Sequence, residues 1–256
     1  MRYFIEFAYN GTHYHGWQYQ PNATSVQETL NKVLSTLLQE KIDIMGAGRT
    51  DAGVHAKQMY GHFDTNSSLD NAKFIHKVNS FLPKDIVVFD IIPVHNEAHA
   101  RFDATSRTYN YHISTYKNVF TNDLAWYSSK NLDIIAMNEA AKSLLKFTDF
   151  KCFSKTNTDV NTYNCKITEA YWTKENEQLI FTITADRFLR NMVRAIVGTL
   201  INIGLHKINL DDFIQIIEYQ NRENAGFSVP AHGLFLTNIE YPYLKKNRYL
   251  TTITTK

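Results

Sequence analysis

The stretch IMGAGRTDAGVHAKQMYGHF (residues 44–63) joins two strand patterns through a glycine-rich loop. Its central part, GAGRTDAGVHA, places Arg49 and Asp51 among residues with small side chains, so that little covers the backbone of the loop. The pattern predicts a short strand near residues 41–46 and a second strand over residues 57–64. A loop with a guanidinium and a carboxylate but few other side chains is an unusual connection, and such loops often carry function.

The segments around this stretch complete a first half of the chain. Ser25 and Glu28 fit the capping box S-x-x-E, which predicts the start of a helix, and Asp70 is the expected N-cap of a second helix. The predicted elements are strands over 2–9 and 85–94 and helices over 25–40 and 70–80. Their order, β-α-β-β-α-β, is that of a ferredoxin-like unit.

A second half repeats this order after residue 100. The predicted strands are 108–116, two segments within 167–188 that meet in a turn near Asn176, and 233–241; the predicted helices are 133–147, 188–204 and 209–219. We therefore predict an α+β fold in which two ferredoxin-like halves join their sheets, with helices on one face and the other face open. Open four-stranded sheets of this topology are common RNA-binding platforms. The predicted units are residues 1–99, residues 100–247 and a tail over 248–256.

Composition restricts the class of protein. The 256 residues carry a formal net charge of +2, so a nucleic-acid binder of this kind must gather its cations on one face. The two cysteines, Cys152 and Cys165, fit neither a metal motif nor a disulfide framework, which favours a reducing cytoplasm. The N-terminus has no signal-peptide pattern, and no apolar run reaches the length of a membrane span.

The residues alone leave several interpretations of the glycine-rich loop open. It is a tight turn if Asp51 only accepts hydrogen bonds from backbone N–H groups. It is a metal site if Asp51 joins His55, or the pair His13 and His15, although their spacing matches no metal motif. The dinucleotide and Walker fingerprints both fail here. The remaining interpretation is a lone catalytic carboxylate that acts as nucleophile or general base.

Such a carboxylate is expected to have a cationic partner, which favours its ionised form. Arg187, Arg190 and Arg194 follow one another at spacings of three and four residues, which predicts one shared face of the helix over 188–204. Cations in an apolar helix are costly unless they are paired. Arg194 lies deepest in the apolar run and is the arginine that we expect to pair with a carboxylate.

Seven motifs follow one another along the chain: YNGTHYHGWQYQ, SVQETL, GAGRTDAGVHA, NSFLP, HARFDATSRTYNY, FLRNMVRAIVG and GLFL. In this order they resemble the motifs of the tRNA pseudouridine synthase A family. The resemblance extends from about Tyr9 to Tyr241. It implies the pseudouridine synthase fold, a continuous mixed sheet with an RNA-binding cleft on the open face, and isomerisation of uridine to pseudouridine at positions 38, 39 and 40 of the tRNA anticodon stem-loop. It also implies a cytoplasmic homodimer that uses no cofactor and no metal and has no membrane partner.

The resemblance also implies roles for particular residues. Asp51 matches the catalytic aspartate, and Arg49 resembles the arginine that helps to extrude the target base. Tyr109 resembles the tyrosine that packs on this base and takes the proton from C5, and Arg194 resembles the basic partner of the aspartate. We expect further contacts with the RNA backbone from Arg107 and Arg190, within a wider set that contains Lys57, Arg101, Lys151, Lys155 and Arg187.

The sequence departs from the family pattern in two places. Residues 161–165 do not resemble the usual T-x-R-x-I-like stretch, and Phe227 and Ser228 stand in the first half of the motif that ends in GLFL. Both departures concern RNA contacts and the dimer surface. Three alternative functions stay open from the sequence: a non-catalytic RNA-binding module, a metal-dependent hydrolase that uses Asp51 and His55, and a pseudouridine synthase that modifies other uridines. The sequence does not choose between a covalent route and a glycal-like route.

Overall fold

The computed structural model describes residues 1–156 and 161–244, so the predicted tail over 248–256 lies outside the described residues. The strands are β1 (Arg2–Tyr9), β2 (Met45–Gly46), β3 (His55–Asp64), β4 (Ile86–Val94), β5 (Ser106–Ser114), β6 (Trp126–Tyr127), β7 (Ile167–Glu175), β8 (Gln178–Ala185) and β9 (Leu234–Glu240). The α-helices are α1 (Val26–Leu38), α2 (Asn71–Phe81), α3 (Ile134–Ser143), α4 (Met192–Gly204) and α5 (Leu210–Glu218). No helix of the described part is long and apolar enough to cross a membrane.

One mixed sheet runs through both halves in the order β4-β1-β3-β9-β5-β8-β7, with β2 beside β3 and β6 beside β5. The first half thus has the order β4-β1-β3-β2, and the second half repeats it as β9-β5-β8-β7. This is the ferredoxin-like order, so the predicted α+β fold is confirmed. The halves meet where β3 and β9 pair in parallel, with His55 opposite Phe235 and Ala56 opposite Leu236.

Helices cover one face of this sheet and leave part of the other open. Leu30 of α1 and Val78 of α2 belong to the apolar core of the first half. Side chains of α3, α4 and α5 fill the core of the second half. Because successive side chains of a strand point to opposite faces, β4 presents Val87 and Phe89 on the other side, where both are exposed.

The two apolar cores share strand β9. Its residue Leu234 belongs to the core of the second half, whereas Leu236 and Ile239 belong to the core of the first. A single strand therefore anchors both halves. The predicted division near residue 99 is not tested by this arrangement and stays a prediction.

Helix α4 begins later than the sequence pattern indicates. Asn191 has a left-handed backbone with φ of +67° and immediately precedes the helix, which starts at Met192. The prediction that Arg187, Arg190 and Arg194 share a helical face is therefore wrong, since only Arg194 is helical. Periodicity failed because the apolar residues before Asn191 are part of a packed loop, which has the same composition as a buried helix.

Smaller differences occur at other element ends. The strand expected over 41–46 is reduced to Met45–Gly46, and α3 ends at Ser143, where a short 3-10 turn over Leu144–Lys146 follows. Asp70 precedes α2 without a side-chain capping bond. The predicted cap at Ser25 is confirmed, because its side chain accepts a hydrogen bond from the Glu28 N–H. Strand β6 was not predicted.

A buried histidine ties β3 to the segment that links the two halves. The Ala100 N–H donates to Nδ1 of His62 at 3.1 Å, and the His62 and His99 rings lie 4.6 Å apart. Burial, together with the neighbouring His99 and Arg2, lowers the pKa of His62 to about 4. His62 is therefore neutral in the folded protein at neutral pH, as its acceptor role at Nδ1 requires.

Replacing His62 by glutamine should make the protein less sensitive to acid. An unfolded histidine has a pKa of about 6.5, so the unfolded chain takes up a proton first as the pH falls. The stability that neutral His62 contributes is complete above pH 6.5 and is lost between about pH 6.5 and 4. The loss reaches about 2 kcal/mol at pH 5. Urea unfolding of both proteins at pH 7.5 and 5 measures this difference.

The exposed His76 on α2 provides a matched control. The variant His76→Gln should lose as much stability on acidification as the parent protein does. Equal losses in His62→Gln and His76→Gln would show that His62 does not contribute to the acid sensitivity.

Candidate active site

The glycine-rich loop between β2 and β3 lies against the segment that follows β1. The Trp17 N–H donates to the Thr50 carbonyl at 3.3 Å, and the Gly53 N–H donates to the Tyr14 carbonyl at 3.2 Å. The hydroxyl groups of Tyr9 and Thr50 form a hydrogen bond of 2.9 Å. These contacts fix the residues on both sides of Asp51, so the loop presents this carboxylate from a held backbone.

Two glycines of the preceding segment are required by this packing. Gly16 has a φ of +90°, and a Cβ added there would lie 2.3 Å from the Thr50 carbonyl oxygen. A Cβ on Gly11 would lie 2.0 Å from the Val54 carbonyl oxygen. Gly48 in the loop itself is different, because a Cβ there would meet nothing within 4 Å. Gly48 therefore faces open space, whereas Gly11 and Gly16 allow the backbone of their segment to approach the backbone of the loop.

Asp51 forms ion pairs with two arginines of the second half. Nη1 of Arg194 lies 3.5 Å from Oδ2 of Asp51, and Nε of Arg190 lies 3.8 Å from Oδ1. The Arg194 side chain is 20% exposed and that of Arg190 is 59% exposed. Nε of Arg194 also donates to the Val229 carbonyl at 2.7 Å. Arg194 is thus the firmly held partner, and Arg190 is the looser one.

Arg49 does not take part in these ion pairs. It is exposed and forms no ion pair with Asp51 in residues 1–156 and 161–244. The geometry agrees with the expectation that Arg194 lies nearer than Arg49 to the Asp51 carboxylate, while the roles of these residues stay predictions.

Tyr109 lies on β5, half-buried between the two cores. Its ring packs edge-on against Phe188, with ring centroids 5.1 Å apart. Burial raises the pKa of Tyr109 to about 12; the Arg107 cation opposes this increase, and the Asp51 carboxylate adds to it. The phenol therefore keeps its proton at neutral pH and is able to donate a hydrogen bond near Asp51.

Arg107 was predicted to contact RNA, but its guanidinium already has protein acceptors. Nη1 donates to the Asp186 carbonyl at 2.7 Å and Nη2 donates to the Ala47 carbonyl at 3.0 Å. Two further bonds reach the carbonyls of Arg101 and Ala104. Arg107 thus connects the start of the glycine-rich loop, the linker and the end of β8. These contacts favour a positioning role over direct RNA binding.

His55, which the sequence left open as a metal ligand, has both ring nitrogens occupied. The Gly11 N–H donates to Nδ1 at 3.0 Å, so Nε2 carries the proton and donates to the His232 carbonyl, also at 3.0 Å. Burial lowers the pKa of His55, which agrees with this neutral form. No group of three or more His, Cys, Asp or Glu side chains in the described part is arranged to hold a metal ion.

A cavity of about 530 Å³ lies beside Asp51. Its lining residues are Asp51, Ala52, Lys155, Thr156, Arg190, Asn191, Arg194, Arg222 and Ser228. Sequence reasoning missed Arg222, because it stands in a polar segment without a periodic pattern. It also left Ser228 only as a departure from a motif. The cavity shows that both residues belong to the surroundings of Asp51.

Comparisons with known proteins agree with this architecture. A sequence model of the family described as tRNA pseudouridine synthase matches residues 6–103 and 140–242. A protein of Bacteroides fragilis named tRNA pseudouridine synthase A is 55% identical over 244 residues, covering 94% of this chain and 97% of that protein. Proteins with the same name from Parabacteroides distasonis and Acetivibrio thermocellus are 51% and 39% identical, covering 94% and 91% of this chain and 96% of each relative.

The variant Gly16→Ala should destabilise the fold and displace the glycine-rich loop. Its Cβ would meet the Thr50 carbonyl and would also require an unfavourable left-handed backbone, at a cost of about 2 kcal/mol or more. Gly48→Ala, which has open space for a Cβ, should keep the parent melting temperature. Thermal unfolding of the three proteins tests this, and an equal decrease in both variants would contradict the assigned packing.

Replacing Arg107 by lysine should lower kcat and leave KM for RNA nearly unchanged. A lysine keeps the positive charge but lacks the planar guanidinium that reaches several carbonyls at once. A displaced loop reduces turnover, and a loss of up to about a hundredfold is expected from a misplaced catalytic group. Steady-state kinetics separate the two roles, since a raised KM with intact kcat would indicate direct RNA contact instead.

Proposed function

This chain belongs to the tRNA pseudouridine synthase family, whose members isomerise uridine to pseudouridine, and we propose that it acts at positions 38, 39 and 40 of the tRNA anticodon stem-loop with Asp51 as its catalytic carboxylate. The observation that carries this proposal is the Asp51 carboxylate in a cationic cavity between the two halves. Each half contributes one partner of this ion pair, since Asp51 and Arg194 are 143 positions apart in sequence.

The reaction requires a nucleotide that has left its stack. Extrusion of a base from a stem costs a few kcal/mol, and protein groups must offset this cost. The exposed Arg49 is suited to this task, because its guanidinium lies on the glycine-rich loop without an ion pair to Asp51. Gly48 beside it leaves open space for an approaching nucleotide. We therefore expect the Arg49 side chain to occupy the space that the extruded base leaves in the stack and to contact the neighbouring phosphates.

The chemical step is an isomerisation in which atoms and electrons balance without an external reactant. The N1–C1′ bond breaks, the uracil turns, and a C5–C1′ bond forms. The proton at C5 leaves and N1 gains one. Asp51 either attacks the nucleotide covalently or removes a sugar proton to give a glycal-like intermediate. Arg194 holds the carboxylate in one orientation and stabilises its negative charge in both routes.

Tyr109 provides the surface on which the uracil turns. Its half-buried ring is held by Phe188 and offers an aromatic face for stacking. Because its pKa is raised to about 12, the phenol keeps its proton in the resting site and can donate a hydrogen bond to the bound nucleotide. It accepts the C5 proton only if its own proton leaves at the same time.

Several finer properties belong to the same proposal. The exposed apolar residues of β4, Val87 and Phe89, are suited to burial between two copies, and the two subunits of a homodimer would together form one basic cleft for a single tRNA. Both cysteines are buried and unpaired, as is usual in a reducing cytoplasm. Of the alternatives, a non-catalytic RNA-binding module needs no ion-paired carboxylate in the cavity. A different site specificity within the family is decided by mapping the modified uridines.

The variant Asp51→Asn should bind an anticodon stem-loop RNA as the parent does and lose turnover by roughly a thousandfold or more, because an amide neither attacks nor accepts a proton. Release of tritium from uridine labelled at C5 measures turnover, and RNAs with a single uridine at 38, 39 or 40 map the sites. Asp70→Asn, an exposed change on the flank of α2, is the matched control and should keep full activity. Pseudouridine formation by Asp51→Asn at the control's rate would refute the assignment of Asp51.

A further inference from the structure

The cavity beside Asp51 carries more positive charge than this carboxylate balances. Three arginines line it, namely Arg190, Arg194 and Arg222. Asp51 is the one carboxylate that lines it in the described part of the chain. Like charges gathered in one cavity repel each other unless an anion joins them. The arrangement therefore calls for a negative group beyond Asp51.

Arg222 is fixed in place before any ligand arrives. Its Nη1 donates to the Gly226 carbonyl at 3.1 Å and, more weakly, to the Ala225 carbonyl at 3.5 Å. Its Nη2 donates to Oγ of Ser228 at 3.1 Å. A guanidinium has five N–H donors in a rigid plane, so some N–H donors of Arg222 remain free of these bonds. A held guanidinium with remaining donors recognises a phosphate at little entropic cost.

Ser228 adds an oriented neutral donor to the same wall. Its Oγ accepts a bond from Asn191 Nδ2 at 2.6 Å as well as the bond from Arg222. A hydroxyl oxygen has two lone pairs, and both are used by these donors. The hydroxyl proton of Ser228 has no acceptor among residues 1–156 and 161–244. It is therefore available to a ligand that only accepts hydrogen bonds.

We propose that Arg222 and Ser228, with Arg190 at their side, form a subsite for the phosphodiester group next to the target uridine. This inference rests on the proposed function, because the phosphate comes from the RNA whose uridine reaches Asp51. Phosphate oxygens are acceptors with a negative charge, which matches a wall of donors and cations. The subsite holds the sugar of the extruded nucleotide at a set distance from Asp51.

Arg190 connects the subsite with the carboxylate. Its ion pair with Asp51 is long, at 3.8 Å, and its side chain is 59% exposed, so the pair is weak. Arg190 is able to turn toward a bound phosphate without breaking a strong contact, and Arg194 remains on Asp51. The bound phosphate is then shielded from the carboxylate by cations on both sides.

Two variants test the subsite, with Lys73→Gln as the control on the exposed surface of α2. Arg222→Gln should weaken binding of an anticodon stem-loop RNA about tenfold, the effect of losing one charge-assisted hydrogen bond, and lower the salt slope of binding by about 0.7. Ser228→Ala should weaken binding severalfold with an unchanged salt slope, because it removes a donor but no charge. Binding is measured in the Asp51→Asn background, where the RNA is not converted.

Ser228→Ala keeps the test decisive if Arg222→Gln disturbs its own loop, since the smaller variant leaves all cations in place. A methylphosphonate, which is uncharged, is introduced at one RNA linkage at a time around the target. RNA that carries the methylphosphonate at one particular linkage should bind the parent protein more weakly than unmodified RNA does. The same modification should weaken binding to Arg222→Gln little further, because the phosphate and Arg222 are coupled partners. Two results together would mean that free phosphate is the ligand and would overturn the proposal. Inorganic phosphate would compete with the RNA at millimolar concentration, and no single methylphosphonate linkage would weaken RNA binding.

The outcomes separate the subsite from the proposed function. If the parent protein forms pseudouridine while both variants bind RNA as Lys73→Gln does, the subsite is wrong and the proposed function stands. If the parent protein forms no pseudouridine in any anticodon stem-loop, the proposed function fails, whatever the variants do. Loss of binding in both variants together with a shared sensitive linkage supports the subsite.

Discussion

The parallel pairing of β3 and β9 is the constraint on which the site depends. It joins the two halves through only two facing residue pairs, His55 with Phe235 and Ala56 with Leu236. His55 strengthens this joint, because its ring connects the Gly11 backbone to the His232 backbone across the junction. The glycine-rich loop ends at this joint, so any slip between the halves would separate Asp51 from the second half.

The ion pair between Asp51 and Arg194 follows from that joint. Arg194 enters from α4, and its Nε bond to the Val229 carbonyl holds it against the segment that leads into β9. Arg107 fixes the other end of the loop through Ala47, from β5 of the second half. The loop is therefore positioned from both sides by arginines of the other half, of which Arg194 contacts the carboxylate and Arg107 contacts the loop backbone.

The pattern of residues predicted the architecture better than it predicted the geometry of the site. Alternation and helical spacing report which face is buried, so they located the repeated βαββαβ order. They failed before Asn191, because a packed apolar loop and a buried helix share a composition, and only the left-handed φ of +67° separates them. Arg107 and Arg222 have no periodic signal at all. Arg107 depends on the carbonyls of Ala47 and Asp186, which are far away in sequence. Arg222 is held by the Gly226 carbonyl and by Ser228 in its own irregular segment. Both arrangements become visible only in the folded chain.

The distribution of charge explains how a nearly neutral protein recognises a polyanion. The net charge of +2 hides a cavity whose described lining has three arginines and one carboxylate. Before RNA binds, solvent must screen the arginine charge that Asp51 does not balance, and a bound phosphate replaces that screening with fixed hydrogen bonds. Binding energy gained at Arg222 and Ser228 is then available to hold the extruded nucleotide over Asp51, so recognition of the backbone contributes directly to the chemical step.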